Sequence, residues 1–322
     1  GSTSTTGEIE LLKNNSTHAH VAHLHLSGAG LIHADHSGNR MRPVGEQGHQ
    51  TPGAVERLAV RDVWIVGGAT SFIVIVAGLY TVLGVGMNMS ALQMTAMARD
   101  IGRPMSMGMG PQWSAGYAVL IFLMWWIMMI AMMVPSAAPM ILLQARIAHS
   151  TSAEKPALRL PWSTAIFALG YLAAWAAFSA VAVALQRLFE SFGVLSPMMM
   201  NSTNAIFAGS ILILAGLYQM TPLKQACLEH CRSPIGFLSQ HWHDGLGGAF
   251  AMGLHHGAYC LGCCWGLMAI LFFGGIMNLY WIIGLAVIVL LEKLLPIGPR
   301  LGQVIGAVLF AWGIGFVYTA IA

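Results

Sequence analysis

Six apolar stretches of this chain contain no Asp, Glu, Lys or Arg, and each is long enough to form a membrane-spanning helix. A span needs about 20 apolar residues. Charged residues make up only 8% of the sequence, against roughly 25% in soluble domains, so there are too few charges to cover a water-soluble surface. The chain therefore predicts an all-α, polytopic transmembrane helical bundle. The stretches are 63–98, 104–145, 160–186, 191–223, 245–291 and 301–322.

The fifth stretch is long enough for two spans. It contains Gly274, Gly275 and Asn278, which favour a turn, so we place a break there. The sequence then predicts seven helices, with six as the alternative count. The predicted segments are 63–86, 117–145, 163–189, 204–223, 246–273, 279–297 and 301–321.

Lys and Arg predict the orientation of the bundle, because they are retained on the cytoplasmic side. With the N-terminus inside, the inside segments carry nine Lys and Arg residues and the outside segments carry three. This distribution favours a cytoplasmic N-terminus. The formal net charge of +3 is too small to indicate nucleic acid as a partner, and membrane lipid is the expected surroundings.

Residues 1–62 differ from the rest of the chain, since they are polar and rich in Ser, Thr and Gly. Closely spaced histidines there could bind a divalent metal. The alternative is a solvated tail whose histidines are incidental. We treat 1–62 as a separate tail and 63–322 as the membrane domain. The tail contains seven of the 13 histidines: His18, His20, His23, His25, His33, His36 and His49.

The fifth predicted helix carries a stripe of sulfur and imidazole side chains. At helical spacing they fall within an arc of about 120° and extend over about 18 Å. An ionisable histidine inside a membrane is costly and indicates function, and soft ligands select Cu(I). The alternative explanation for the stripe is that its cysteines are small residues that allow close helix packing. We expect His256 and Cys260 to be the primary metal ligands. The stripe comprises Met252, His256, Cys260, Cys263 and Cys264.

A second group of soft ligands follows the fourth predicted helix. Cys227, His230 and Cys231 are spaced i, i+3 and i+4, so they share one face if helical geometry continues past Pro222. Thiolates and imidazole at this spacing predict a second metal site. Two further histidines in the same loop, His241 and His243, could complete it.

Methionines cluster in two loops that the predicted orientation places outside. Thioethers select Cu(I) over harder ions, so these loops could capture it, although methionine also fills irregular cores. Within the second predicted helix we favour the packing explanation for the methionines. The loop methionines are Met87, Met89, Met94, Met97, Met105, Met107, Met109, Met198, Met199 and Met200; the helix carries Met124, Met128, Met129, Met132 and Met133.

Three parts of the chain together resemble a family of bacterial integral membrane proteins with a predicted metal-binding role and a domain of unknown function. They are residues 128–139, residues 221–232, and residues 256–265 with 292–296. The resemblance covers about residues 60–322 and implies a bacterial inner-membrane location and a metal role, without naming the metal. It implies importance for Cys227, Cys231, His256, Cys260, Cys263 and Cys264.

These patterns predict a membrane protein that binds Cu(I), with zinc as the alternative metal, and relays or transports it through Met, His and Cys ligands. A soluble metallochaperone or a membrane complex is the expected protein partner. Two other functions stay open. One is a membrane oxidoreductase that uses a bound metal or a cysteine pair, although a non-enzymatic role fits better. The other is a structural or assembly subunit of a larger membrane complex.

Overall fold

The computed structural model describes residues 54–84, 90–98, 113–151, 160–197, 200–243 and 245–322. Over these ranges the chain is helical, and its only β-structure there is an isolated bridge between Leu195 and Ser202. The helices are α1 Ala54–Leu83, α2 Ala91–Ala98, α3 Ala115–Thr151, α4 Leu160–Ser191, α5 Ala205–Gln219, α6 Pro222–Arg232, α7 Pro234–His241, α8 Gly245–Ala269, α9 Leu271–Gly274, α10 Leu279–Leu294 and α11 Gly298–Ile321.

The predicted fold class, a helical membrane bundle, is confirmed. Five helices in the described ranges are long and apolar enough to cross a membrane, and the bent pair of α5 and α6 would make a sixth span. The predicted segment 279–297 instead forms the 16-residue α10. At 1.5 Å per residue α10 is about 24 Å long, which is shorter than the hydrocarbon core of about 30 Å. The upper count is thus the six spans of the alternative prediction.

Two interruptions shape the bundle. Pro222 begins α6 as a new helix, bent by 63° from α5, because proline fits the first turn of a helix but not its interior. Thr221 caps α6 by accepting from the Lys224 N–H. Between α8 and α10, Gly275 has a φ of 95°, which favours glycine, and Asn278 caps α10. The chain therefore breaks at Gly275 and Asn278, where the sequence predicts it.

Helix α8 lies at the centre of the bundle. In the most apolar stretch of the segment Gly245–Gly274, 56% is buried within the protein, whereas in that of α1 only 11% is buried. Helix α4 packs along α8 at close range, since a Cβ on Gly253 would overlap the carbonyl of Phe167 and one on Gly257 would lie 2.6 Å from the Cβ of Ala174. Glycines allow such close approach of membrane helices. The predicted ligand stripe is therefore held against α4 rather than exposed to lipid.

The N-terminal tail falls almost entirely outside the described residues, and so do all seven of its histidines. The described residues from 54 onward belong to one compact unit. Helix α1 already begins at Ala54, and its apolar part begins at Trp64. The division of the chain at residue 62 stays a prediction.

Candidate metal centre

Cysteines from two helices converge where α6 crosses α8. The Sγ atoms of Cys231 on α6 and Cys263 on α8 are 4.0 Å apart, and Cys231 also interacts with the thiol of Cys260. Cys264 Sγ lies 3.8 Å from the Sδ of Met133 on α3. All of these cysteines are free thiols. We call Cys231, Cys260, Cys263, Cys264 and Met133 the sulfur cluster.

The geometry of α8 explains how its three cysteines come together. Cys263 and Cys264 follow Cys260 by three and four residues, so their side chains lie on the same face one turn on. The Sγ atoms of both donate to the carbonyl of Cys260, at 3.1 Å and 2.9 Å. These bonds keep the two thiols folded back along the helix, and all three cysteines are buried.

Cys260 has two polar neighbours from other helices. Lys293 on α10 donates from Nζ to the Sγ of Cys260 at 3.0 Å and to the Oγ of Ser136 at 3.0 Å. The hydroxyl of Tyr171 on α4 lies 3.1 Å from the same sulfur. Lys293 is 7% exposed and Cys260 is fully buried. A buried ammonium without a compensating charge is costly, so this contact dominates the electrostatics of the cluster.

The acidic residue beside Lys293 already has a cationic partner. Glu292 Oε2 accepts from Lys224 Nζ at 2.8 Å, and Gln219 donates to Oε1 at 2.9 Å. Glu292 and Lys224 are both buried. Because this carboxylate is already paired with Lys224, we infer that the sulfur of Cys260 balances the charge of Lys293.

His256 lies one turn before Cys260 on α8, and its Nδ1 is buried with no hydrogen-bond partner. Its ring packs among Phe167, Tyr171 and Phe237, with centroid distances of 6.2, 5.8 and 5.5 Å. Buried polar atoms are normally paired, so a free ring nitrogen at this position is available to a ligand. Met252, one turn earlier still, is also buried.

The other two residues of the trio predicted on α6 have different neighbours from Cys231. His230 stacks on Tyr259 with centroids 4.4 Å apart, and its Nδ1 donates to the carbonyl of Ala226 at 2.8 Å. Cys227 lies against Gly262. Of the trio predicted on α6, Cys231 therefore has the direct sulfur–sulfur contact, and Cys227 lies at the edge of the cluster, near Cys263.

In the ranges that the structure describes, no three His, Cys, Asp or Glu side chains are close enough to enclose a metal ion. Two of the loop methionines, Met94 and Met200, are buried. The side chains of the remaining loop methionines lie outside the part of the chain that the structure describes: Met87, Met89, Met97, Met105, Met107, Met109, Met198 and Met199.

Sequence reasoning missed the residues that surround Cys260. Lys293, Tyr171 and Ser136 come from three other helices, and Met133 was interpreted as packing. A lysine inside a membrane segment is a signal of function. Lys293 falls within the predicted segment 279–297, where it counted only as a charge that favours the cytoplasmic side.

Long apolar helices around a buried group of free thiols define the class as a helical membrane protein with a thiol-rich interior. The model of the copper chaperone family PpoB2 matches residues 122–316. This match covers more than half of the chain, and the chain belongs to that family. It includes every residue of the sulfur cluster together with Lys293. No curated protein and no solved structure matches the chain.

Proposed function

We propose that the protein is a membrane-embedded Cu(I) chaperone that holds its cargo at the sulfur cluster. Cys260 is the first ligand, Cys231 or Cys263 is the second, and His256 supplies a neighbouring contact. The family match supports copper handling, and soft thiolate and thioether ligands suit Cu(I). Zinc is the alternative cargo.

The observation that carries this proposal is the 3.0 Å contact between Lys293 Nζ and Cys260 Sγ. A Cu(I) ion held by two thiolates carries one net negative charge, which is expensive to bury. The sequence alone therefore favours a pairing of one thiolate with one imidazole, which is neutral. The Lys293 ammonium removes that objection, since it balances the charge of a two-thiolate site.

The same charges indicate what happens when copper binds. In the empty site, a Cys260 thiolate balances Lys293, and the second cysteine stays protonated. Binding of Cu(I) to that second thiol displaces its proton, so the buried site keeps the same net charge. Metal ligands must be deprotonated to bind, and here one proton leaves for each ion that enters.

The direction of transfer follows from the predicted orientation. Methionine-rich loops outside would capture Cu(I), the sulfur cluster would hold it, and a soluble metallochaperone or a membrane complex would exchange it inside. This scheme keeps the bacterial inner membrane as the location and the cytoplasm as the side of the N-terminus.

The full chain in lipid nanodiscs tests the proposal. It is loaded with Cu(I) under anaerobic conditions, washed with a Cu(I) chelator, and its copper content is measured. We expect Cys260→Ala to abolish retention and Cys231→Ala or Cys263→Ala to reduce it strongly. The matched control is Cys227→Ala, the cysteine of α6 that lies against Gly262, which should retain the wild-type amount. The site is misplaced if Cys227→Ala loses copper while Cys260→Ala keeps it.

A further inference from the structure

Two histidines from different helices meet on the surface beside the sulfur cluster. His241 is the last residue of α7, and His255 is an exposed residue of α8. Their ring centroids are 5.9 Å apart and their planes are inclined at 78°. His255 is adjacent in sequence to the buried His256, so the pair lies close to the interior ligands.

The ring nitrogens of His241 are oriented for metal binding. Nδ1 lies 3.2 Å from the carbonyl of Phe237, and a carbonyl only accepts hydrogen bonds. Nδ1 therefore carries the proton, and in the neutral ring Nε2 keeps its lone pair. Metal-binding histidines have this same arrangement, in which the second nitrogen donates to a backbone carbonyl.

The spacing of the two rings suits one shared ion. Imidazole nitrogens coordinate at about 2 Å, which places the centroids of two rings on one ion roughly 5–6 Å apart. The observed 5.9 Å falls in this range.

Aromatic rings connect the surface pair to the interior. Phe237 stacks on His241 with centroids 4.8 Å apart and meets His256 edge-on at 5.5 Å. Tyr259 lies 6.4 Å from His241 on the other side. Along α8, the order from this surface inward is His255, His256 and then Cys260, so the imidazoles lead toward the sulfur cluster.

The pair lies at the end of the bundle where charged side chains emerge. His230 stacks on Tyr259, and its neighbours on α6 include the exposed Glu229 and the partly exposed Arg232. Charged residues of this kind are found at membrane surfaces rather than in the hydrocarbon core. A hydrated ion or a soluble partner could therefore reach the two histidines.

Building on the function proposed above, we propose that His241 and His255 form an exchange port for Cu(I) between the surface and the sulfur cluster. Two neutral imidazoles leave the charge of the ion uncompensated, so they hold it only where water is near. Thiolates are softer ligands for Cu(I) than imidazole, and the Lys293 ammonium balances the charge of the two-thiolate site. An ion at the port therefore gains free energy by moving inward.

The test measures the rate of copper transfer separately from its final amount. The full chain in proteoliposomes, oriented with the predicted cytoplasmic face outward, receives Cu(I) from a weak Cu(I)–chelator complex under anaerobic conditions, and transfer is followed by stopped-flow absorbance. We expect His241→Ala and His255→Ala to slow transfer at least about tenfold, since even the outer partners of metal ligands are worth roughly 10- to 100-fold. The final copper content should stay at the wild-type value.

The matched control is His243→Ala, because His243 is an exposed residue two positions after His241 and its Nδ1 donates to the carbonyl of Trp242. It should transfer copper at the wild-type rate. The proposal of an exchange port is contradicted if the His241 and His255 variants take up copper as fast as the wild type, or if they lose bound copper. Loss of retention in Cys260→Ala concerns the sulfur cluster, so the two proposals fail by different results.

Discussion

Two buried lysines, Lys224 of α6 and Lys293 of α10, differ in the chemistry of their partners. Lys224 meets the carboxylate of Glu292 at 2.8 Å, and Gln219 donates to the same carboxylate. Lys293 meets the sulfur of Cys260 at 3.0 Å and the hydroxyl of Ser136. Glu292 and Lys293 are adjacent in the chain, so one turn of α10 carries both Lys293 and the carboxylate that pairs with Lys224.

The comparison separates a structural charge from a functional one. The Lys224–Glu292 pair is not suited to bind Cu(I), because the charge of the carboxylate is already balanced and a hard oxygen ligand has little affinity for Cu(I). The Lys293–Cys260 pair can accept Cu(I), because sulfur can exchange a proton for a soft metal while the Lys293 ammonium keeps the site neutral. We therefore expect the loss of one lysine to affect stability and the loss of the other to affect copper binding.

Removing Lys224 should have the largest effect. Lys224→Met leaves Glu292 charged and buried, which costs about 3–5 kcal/mol in comparable pairs. We expect a large decrease in the temperature at which the purified protein loses its helical circular dichroism. The double variant Lys224→Met/Glu292→Gln should recover most of the loss. Equal stability of Lys224→Met and wild type would contradict the assignment of this pair as structural.

Removing Lys293 should have a smaller effect on stability and a specific effect on copper. Lys293→Met leaves a two-thiolate copper site with one uncompensated negative charge, so we expect Cu(I) affinity to fall roughly 10- to 100-fold, the range for a supporting partner of a metal ligand. Competition with a Cu(I) chelator measures this affinity. Lys293→Arg should restore part of it because the positive charge returns. If Lys293→Met binds copper as tightly as wild type, the two lysines do not differ as proposed.

Removing the Tyr171 hydroxyl should have the smallest effect. Tyr171→Phe keeps the ring and deletes one hydrogen-bonding group 3.1 Å from Cys260 Sγ, for which a change of about 1 kcal/mol, or roughly fivefold in Cu(I) affinity, is expected. Tyr218→Phe is the matched control, because that phenol donates to the carbonyl of Gly262 on α8 instead. Equal losses in both variants would show that the effect is on α8 packing, not on the sulfur.

The sequence predicts the helices better than it predicts the site. Charge-free stretches locate the membrane helices because burying a charge in lipid is costly, and Gly275 and Pro222 mark breaks for local steric reasons. The stripe on α8 follows from helical periodicity, and Met252, His256, Cys260, Cys263 and Cys264 are all buried. The approach of Cys231 and Lys293 depends on how distant helices pack, which local patterns do not contain. Because charged residues served only to mark the ends and sides of the spans, the contact of Lys293 with Cys260 was not predicted.

Helix α6 sets a limit on how long the sulfur cluster can keep its cargo. It has eleven residues, and isolated helices shorter than about 12–15 residues are marginal in water. Its order therefore depends on the buried Lys224 and Leu228, whereas α8 is fixed along its length by α4. Local unfolding of α6 would withdraw Cys231 while Cys260 and Cys263 stay in place, so the ion would lose one ligand without any change in the rest of the bundle. We expect the residence time of copper to follow the rate of this opening, with the amides of α6 exchanging hydrogen for deuterium sooner than those of α8.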